Sequence, residues 1–375
     1  MRILFITSIS LGGSGKYIEV LADGLRKCGF VCDLVYFSYG TKQDKSLEKV
    51  FQRVFYLDCE PSMSPLAIYK NICSVTSLMR NGQYDWAHSH TSLGGLYGRL
   101  GSFCSFNETK MAHTLHAFGA SQFTPIVEKA IYWLIERVLD VMTDIYFCPS
   151  GYMRDYGQKT KVINASKCRI VYNSLPLPRP PYNANEICSV FRKQYDIDEE
   201  EIIFLFCGRI ERQKGVDVLI RALSKIDSGL KVRLIVCGDG DEVATMQALA
   251  EEVDVASKVI WAGWQSNLEP FYCASNVYIM PSRWESFGLV FLEAMNHALP
   301  ILSTSVQAIP EVVANGETGL LSQSEDYDAL AKNIELLAED GALRSKLGNA
   351  GKSRVDRIFT FQKFVDGHLA VYKSN

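Results

Sequence analysis

The chain alternates short apolar runs with longer segments of helical periodicity, and it does so in two successive series. Parallel strands need a long crossover between them, usually a helix, so this alternation predicts parallel sheets covered by helices on both faces. The sequence therefore predicts an α/β protein with two doubly wound, Rossmann-like domains. The runs of the first series lie at 3–7, 31–37, 85–90, 110–115 and 144–148, and those of the second at 202–206, 232–237, 259–261, 277–280, 301–304 and 319–321.

A proline-rich segment separates the two series. Residues 173–182 contain four prolines, which hold the backbone extended and stiff. We therefore expect a first domain at 1–180 and a second domain at 181–355. A separate C-terminal segment at 356–375 contains a predicted helix at about 360–373.

The composition bounds the class of protein. With 47% hydrophobic residues among 375, the chain can build two cores. Its 39 basic and 42 acidic residues nearly balance and form no dense basic tract, so no nucleic-acid partner is expected. The 11 cysteines form no C-x-x-C pair, which favours reduced thiols in a cytoplasmic protein. We expect no signal peptide and no membrane span, since no apolar run reaches roughly 18 residues.

Two glutamates flank the predicted start of a helix in the second series. Glu285 precedes the helical pattern that begins near Gly288, and Glu293 falls in its second turn. A helix start suits a phosphate because its N–H groups are unpaired, and carboxylates accept hydrogen bonds from sugar hydroxyls. The pattern indicates a nucleotide-sugar site in which Phe287, Gly288 and Leu289 supply backbone donors. The ordinary alternative is a capped helix with two surface glutamates.

The stretch 281–295 resembles the E-x7-E signature of glycosyltransferase family 4, the retaining glycosyltransferases of group 1 with the GT-B fold. Three further segments are similar to that family's motifs, in the same order. These are 4–13, similar to its first strand and glycine loop, 206–215, similar to its strand–GR–x4–KG phosphate loop, and 236–240, similar to its V-x-G-x-G turn. The resemblance implies two Rossmann-like domains that face each other across a cleft, with a C-terminal helix that returns to the first domain.

The resemblance also implies catalytic and binding roles in the second domain. Arg209 and Lys214 follow a strand within Gly-Arg-x4-Lys-Gly, where two cations would neutralise the leaving diphosphate. Glu293 resembles the family's ribose-binding carboxylate, and Glu285 resembles the one that contacts the transferred sugar. The ordinary alternative for the two cations is a pair of solvated surface charges.

Glycines and one histidine complete the predicted site. Gly238 and Gly240 lack side chains and would let the nucleobase or ribose approach the backbone, although a plain strand-to-helix turn needs them equally. Gly12 and Gly13 are expected to end the first strand and precede the first helix, with N–H groups that meet the diphosphate or the acceptor. His116 closes a segment that resembles the family's T-x-H, whose histidine reaches the donor sugar.

The other histidines and one apolar helix leave alternatives open. His88 and His90 share a strand face and could ligate a metal, but no third ligand or D-x-D motif accompanies them. A pair near the acceptor is therefore favoured, and no metal site is predicted. His297 lies at a helix end, where it would offset the helix dipole. The helix at 125–142 has a wide apolar face that packs on the sheet or, alternatively, contacts a lipid-linked acceptor or a membrane.

Together these features predict a retaining, metal-independent hexosyltransferase without a cofactor. Its donor is a nucleotide-diphosphate sugar, with a UDP-sugar as the first prediction and GDP-mannose as the second. The expected acceptor is a glycan or a polyprenyl-linked sugar in bacterial surface polysaccharide synthesis, with peripheral contact to the inner face of the plasma membrane as an option. The alternatives are a sugar-nucleotide epimerase with the GT-B fold and a non-catalytic two-lobed binding protein.

Overall fold

Two compact units make up the protein, and each is built on one parallel sheet. The computed structural model describes residues 1–8, 12–37, 47–57, 62–117, 125–178, 180–181 and 183–374. The first unit comprises Met1–Leu175 and Phe361–Asn375, and the second comprises Pro176–Thr360. The chain therefore leaves the first unit within the proline-rich segment and returns to it just before its last helix.

The sheet of the first unit has seven strands in the order β3-β2-β1-β4-β5-β6-β7 in the described part of the chain. The chain winds outward from β1 in one direction and then restarts beside β1 with β4, so the strand order reverses between these two strands. In open α/β sheets, ligands bind outside the carboxyl ends of the strands at such a reversal. The strands are β1 Arg2–Thr7, β2 Val31–Phe37, β3 Arg53–Leu57, β4 Trp86–His90, β5 Lys110–Thr114, β6 Ile145–Cys148 and β7 Cys168–Ile170.

The sheet of the second unit has six described strands in the order β10-β9-β8-β11-β12-β13. Its strand order reverses between β8 and β11, which places the segments after these two strands at the same sheet edge. The strands are β8 Ile202–Cys207, β9 Val232–Cys237, β10 Val259–Gly263, β11 Val277–Met280, β12 Ile301–Thr304 and β13 Gly319–Ser322.

Helices connect these strands, as parallel pairing requires. Those of the first unit are α1 Gly12–Lys27, α2 Leu47–Val50, α3 Pro65–Asn81, α4 Ser92–Ser105, α5 Ile126–Val141 and α6 Gly151–Lys159. Those of the second are α7 Ala184–Gln194, α8 Val216–Leu223, α9 Val243–Glu252, α10 Glu269–Ala274, α11 Leu289–Asn296, α12 Ile309–Val312, α13 Tyr327–Glu339 and α14 Gly341–Ile358. The last helix, α15, spans Phe361–Ser374.

Buried polar contacts fix α15 to the first unit. The Tyr372 hydroxyl lies 2.6 Å from His88 Nδ1, and His368 Nε2 lies 2.7 Å from the Tyr17 hydroxyl. Burying such groups is favourable only when they are paired, so these contacts specify where the helix docks. The predicted return of the C-terminal helix to the first domain is confirmed.

The two-domain α/β prediction is confirmed, and two details of the elements differ. Strands β3 and β7 were missed because the apolar run of β3, at 54–57, is only four residues long and β7 has only three residues in all; both lie at the sheet edges. Gly12 and Gly13 do not precede the first helix, as predicted, but form its first turn. Because glycine has no side chain, this first turn carries no apolar periodicity, and the helical pattern begins only farther along. Among the described helices, none is both long and apolar enough to cross a bilayer.

Candidate active site

The site in the second unit centres on an ion pair between two residues that the sequence singled out. Lys214 Nζ lies 2.5 Å from Glu285 Oε2, and their side chains are only 15% and 10% exposed. Lys214 ends a short 3-10 turn after β8, and Glu285 lies in the segment after β11. The strand-order reversal between β8 and β11 thus brings together side chains that are 71 residues apart in sequence.

Gly215 allows these two segments to approach each other. It adopts a left-handed conformation with φ 70°, and a Cβ atom there would lie 2.2 Å from the carbonyl oxygen of Pro281. Any side chain would therefore push the two segments apart, and an L-residue would also be strained. The glycine that closes Gly-Arg-x4-Lys-Gly is a packing requirement of the Lys214–Glu285 contact.

A buried arginine that the sequence reading missed holds the same segments together. Arg283 NH1 and NH2 donate to the two carboxylate oxygens of Asp217 at 2.8 and 2.7 Å, and NH1 also donates to the carbonyl oxygen of Arg212 at 2.8 Å. Its Nε contacts Glu325. The hydrogen bond to Asp217 raises the pKa of Arg283 above its already high value. A bidentate pair fixes both distance and orientation, so Arg283 sets the position of Glu285 two residues later.

Backbone and amide contacts hold Glu285 from both sides. Its N–H donates to Gln307 Oε1 at 2.9 Å, and its carbonyl accepts from the N–H of Ala308 at 3.3 Å. The Gln213 side chain donates to the carbonyl of Trp284 at 2.9 Å. A carboxylate held in this way is presented to a ligand with little freedom left to lose.

Helix α11 begins at Leu289, four residues after Glu285 and close to the start near Gly288 that the sequence predicted. Gly288 adopts φ 84° at its N-cap, and a Cβ there would lie 2.5 Å from the Phe291 ring. The N–H groups of Gly288 and Leu289 lie at the helix start, where a helix has no internal acceptors. The Phe287 side chain is buried against Phe359, so only its backbone could serve a ligand.

Glu293 lies in the second turn of α11, and its main partner was not predicted. The Tyr272 hydroxyl, from α10, donates to Glu293 Oε2 at 2.9 Å. Burial raises the pKa of Tyr272 well above its ordinary value, so the hydroxyl keeps its proton and remains a donor. The bond occupies one carboxylate oxygen and orients the other. Only the tertiary packing of α10 against α11 reveals this contact.

Arg209 differs from Lys214 in its surroundings. Its side chain is 74% exposed, and its NH2 lies 3.0 Å from Glu211 Oε1. The structure thus joins Lys214 to Glu285 but leaves Arg209 solvated at the start of the same segment. An exposed pair of this kind contributes little to stability, so Arg209 is available to an anion at small cost.

Gly238 and Gly240 lie where the segment after β9 crosses the segment after β8. A Cβ at Gly238 would lie 1.8 Å from the carbonyl oxygen of Gly208, and one at Gly240 would lie 2.3 Å from that of Ile210. These close contacts match the alternative interpretation of the two glycines, in which a tight turn between strand and helix requires them. Both glycines are therefore needed by the fold, whether or not a ligand also approaches them.

In the first unit, His116 lies in a cluster of buried histidines at the carboxyl ends of β4 and β5. His90 Nδ1 is 3.0 Å from His116 Nε2. His88 is hydrogen-bonded through both ring nitrogens, at 2.7 Å to Thr114 Oγ1 and at 2.6 Å to Tyr372. Neither nitrogen of His88 is available to a metal, so the structure contradicts the alternative of a His88–His90 metal site.

The buried histidines of this cluster are neutral. Burial lowers the pKa of His116 and of His368 to about 4, and lowers the pKa of His88, His90 and His113 well below its ordinary value. Within the described chain, His90 Nε2 has no hydrogen-bond partner. An unpaired lone pair is less costly than an unpaired N–H, so His90 carries its proton on Nδ1 and donates it to His116. His116 then carries its own proton on Nδ1.

In comparisons with known proteins, each half of the chain matches a glycosyltransferase family. Residues 11–179 match the family described as Glycosyltransferase Family 4, and residues 189–354 match Glycosyl transferases group 1. The chain is 31% identical over 321 residues to an uncharacterized 41.2 kDa protein in the cps region of Klebsiella pneumoniae, covering 81% of this chain and 85% of that protein.

Two further comparisons concern proteins with more informative descriptions. The chain is 31% identical over 175 residues to the capsular polysaccharide biosynthesis glycosyltransferase CapM of Staphylococcus aureus. The aligned region covers 45% of each of the two chains. The solved structure of Anabaena Alr3699/HepE in complex with UDP and glucose superimposes with a TM-score of 0.86 at 17% identity, over 100% of both chains. That structural similarity shows the fold.

Proposed function

We propose that this chain, a member of glycosyltransferase family 4 and group 1 with the GT-B fold, moves a hexosyl group from a nucleotide-diphosphate sugar to a glycan or lipid-linked acceptor with retention at the anomeric carbon. The Lys214–Glu285 contact beside the start of α11 carries the proposal. Together with Glu293 on α11, this contact supplies one cation and two carboxylates. Lys214 suits a diphosphate, Glu285 the transferred sugar and Glu293 the ribose.

The ion pair suggests how the donor binds. Without donor, Glu285 balances the charge of Lys214. A diphosphate that contacts Lys214 takes over this role and leaves Glu285 to accept hydrogen bonds from hydroxyls of the transferred sugar. As the bond from the anomeric carbon to the diphosphate breaks, negative charge grows on the leaving group, and Lys214, Arg209 and the N–H groups of Gly288 and Leu289 stabilise it.

The other predicted residues take supporting roles in this proposal. Glu293, oriented by Tyr272, accepts hydrogen bonds from the ribose, and the turn at Gly238 and Gly240 lies against the nucleoside. The Nδ1 proton of His116 is a hydrogen-bond donor for a sugar hydroxyl. The first turn of α1, with Gly12 and Gly13, offers N–H groups to a phosphate or to the acceptor.

We assign the donor as a UDP-hexose and the reaction as independent of metal. Alr3699/HepE, which has the same fold, was solved with UDP and glucose, and this supports UDP over GDP. The chemistry of a positioned lysine and a helix start supports charge neutralisation without a divalent ion. Similarity to CapM supports a setting in polysaccharide synthesis.

The first prediction is that UDP is released from a UDP-hexose only when an acceptor is also present, and that this release persists in EDTA. Thermal-shift screening identifies the donor, because a ligand that binds only the folded state raises the melting temperature. Glu293→Gln should reduce the shift caused by UDP itself, since UDP retains the ribose. The anomeric configuration of the product, determined by NMR, tests retention.

Other outcomes of this assay distinguish the alternatives. Conversion of the donor sugar without acceptor indicates an epimerase, and saturable binding without any turnover indicates a binding protein. Loss of activity in EDTA with recovery in Mn²⁺ contradicts metal independence. A larger thermal shift with GDP than with UDP reverses the donor assignment.

We also propose that α5 contacts a membrane that holds a polyprenyl-linked acceptor. Five of its exposed apolar residues follow a 4-3-4-3 spacing and so form one stripe along the helix: Val127, Ile131, Leu134, Val138 and Val141, which are 49–81% exposed. Packing on the sheet, the other interpretation, accounts for Leu139 but leaves this stripe uncovered. The helix carries only two basic residues, so the attraction we expect is apolar.

The second prediction tests this stripe with liposomes. The protein should float with uncharged phosphatidylcholine vesicles in a density gradient, and Leu134→Glu should abolish flotation. Leu66→Glu is the matched control, because Leu66 is 64% exposed and Leu134 is 60% exposed, yet Leu66 lies on α3. Equal flotation of the two variants, or flotation only with anionic vesicles, contradicts the proposal.

A further inference from the structure

A second group of chemically reactive side chains lies behind Glu293 in the second unit. Glu269 and Cys273 are four residues apart on α10 and therefore share one face of that helix. His297 follows the last residue of α11. The three candidate ligand atoms all lie within 4.8 Å of one another. No sequence pattern points to this cluster, because Cys273 and His297 are separated by 24 residues and by strand β11.

The His297 ring is held in the orientation of a metal ligand. Its Nδ1 lies 2.9 Å from the carbonyl oxygen of Glu293, which can only accept, so Nδ1 carries a proton. The ring stacks on Tyr272 with centroids 5.0 Å apart and planes at 17°. Metal-bound histidines almost always donate their other N–H to a carbonyl or carboxylate in this way. Nε2 is thereby directed at the remaining two members of the cluster.

The geometry around Nε2 suits a metal ion. Nε2 lies 3.0 Å from Glu269 Oε1, and the same carboxylate oxygen lies 3.8 Å from Cys273 Sγ. Imidazole nitrogen, carboxylate oxygen and cysteine sulfur are all metal-ligand atoms, and here they surround one position. The predicted dipole role of His297 is therefore incomplete, because its ring joins α11 to α10.

We infer that Glu269, Cys273 and His297 bind one Zn²⁺ ion. Bonds of about 2.0–2.3 Å to nitrogen, oxygen and sulfur in a tetrahedron separate the ligand atoms by roughly 3.3–3.7 Å. Two of the three separations, at 3.0 and 3.8 Å, bracket that range, and the third lies within 4.8 Å, so the ligand atoms need to move by about 1 Å at most. A thiol and an imidazole favour zinc over magnesium or calcium. Three protein ligands leave a fourth position for water.

The position of this zinc site gives it a structural consequence. It joins α10, which carries Tyr272, to the end of α11, which carries Glu293. The ion would hold the Tyr272–Glu293 contact in place without touching the Lys214–Glu285 pair. The zinc ion thus links α10 to α11 and takes no part in glycosyl transfer. Turnover is therefore still expected to persist in EDTA.

The third prediction concerns metal binding by the intact protein, with no activity readout. Protein freed of metal by dialysis against a chelator should take up one equivalent of Co²⁺ with a thiolate-to-cobalt charge-transfer band, which Zn²⁺ then abolishes. Zn²⁺ should also raise the melting temperature. Binding should release protons, because cysteine binds zinc as the thiolate.

Variants separate this site from adventitious binding. Cys273→Ser should remove the cobalt band, and His297→Gln should remove the melting-temperature rise. Cys28→Ser is the control, because Cys28 is an exposed thiol of the first unit and should leave both signals unchanged. If Cys273→Ser is unfolded by circular dichroism, Glu269→Gln replaces it. Absence of the band, its persistence in a folded Cys273→Ser protein, or its loss in Cys28→Ser overturns the inference.

Discussion

Replacing Lys214 by methionine is expected to lower kcat about 10²–10³-fold and also to destabilise the fold. The turnover loss follows because the variant lacks a cation that Glu285 holds at the proposed donor site, where charge grows on the leaving diphosphate. The stability loss follows because Glu285, only 10% exposed, is left without a partner. Breaking a buried pair from one side costs about 3 kcal/mol, and somewhat less here because both side chains keep some exposure to solvent.

A double variant separates the two effects. Lys214→Met combined with Glu285→Gln removes both charges, so the free energy of unfolding should recover while turnover stays low. Lys225→Met is the matched control, because Lys225 forms an exposed pair with Asp328, and it should change neither quantity. Steady-state donor kinetics and urea denaturation measure the effects. Near-normal kcat in a folded Lys214→Met protein contradicts the diphosphate assignment.

The stability of the protein should fall steeply as the pH is lowered from 6.5 toward 4. Five of the six histidines, all in the first unit, have pKa values below the ordinary 6.5 because they are buried, and two of these values are about 4. In this pH window the histidines bind protons in the unfolded chain but stay neutral in the native protein. Unfolding is therefore favoured as the pH falls. Each histidine with a pKa of 4 contributes up to about 3 kcal/mol.

Urea denaturation at pH 7, 6 and 5 tests this expectation. Above about pH 7.5 the histidines are neutral in both states and contribute no pH dependence. His113→Asn keeps a polar group near Ser89, with which His113 Nδ1 shares a 2.9 Å hydrogen bond, and should make the slope shallower. A midpoint that stays constant from pH 7 to pH 5 would show that the cluster accepts protons without loss of packing.

Much of the architecture is readable from the sequence because it depends on local patterns. Buried parallel strands such as Ile202–Cys207 are continuous apolar runs. The helix that carries Glu293 starts directly after Gly288, where the helical pattern of the sequence also begins. The edge strand Arg53–Leu57 was missed because its apolar run, at 54–57, has only four residues, the lower limit for a strand. The start of the first helix escaped because glycines carry no periodic signal.

By itself, the sequence determined the two α/β units and the residue types of the donor site, since motif spacing around each strand end is a property of the chain alone. Only the tertiary structure decided which side chains meet. Lys214 pairs with Glu285, Arg283 with Asp217, and Tyr272 with Glu293, and His297 joins Glu269 and Cys273. These partners come from different strands and helices, and their contacts depend on strand order and helix packing, which act at distances that no local pattern records.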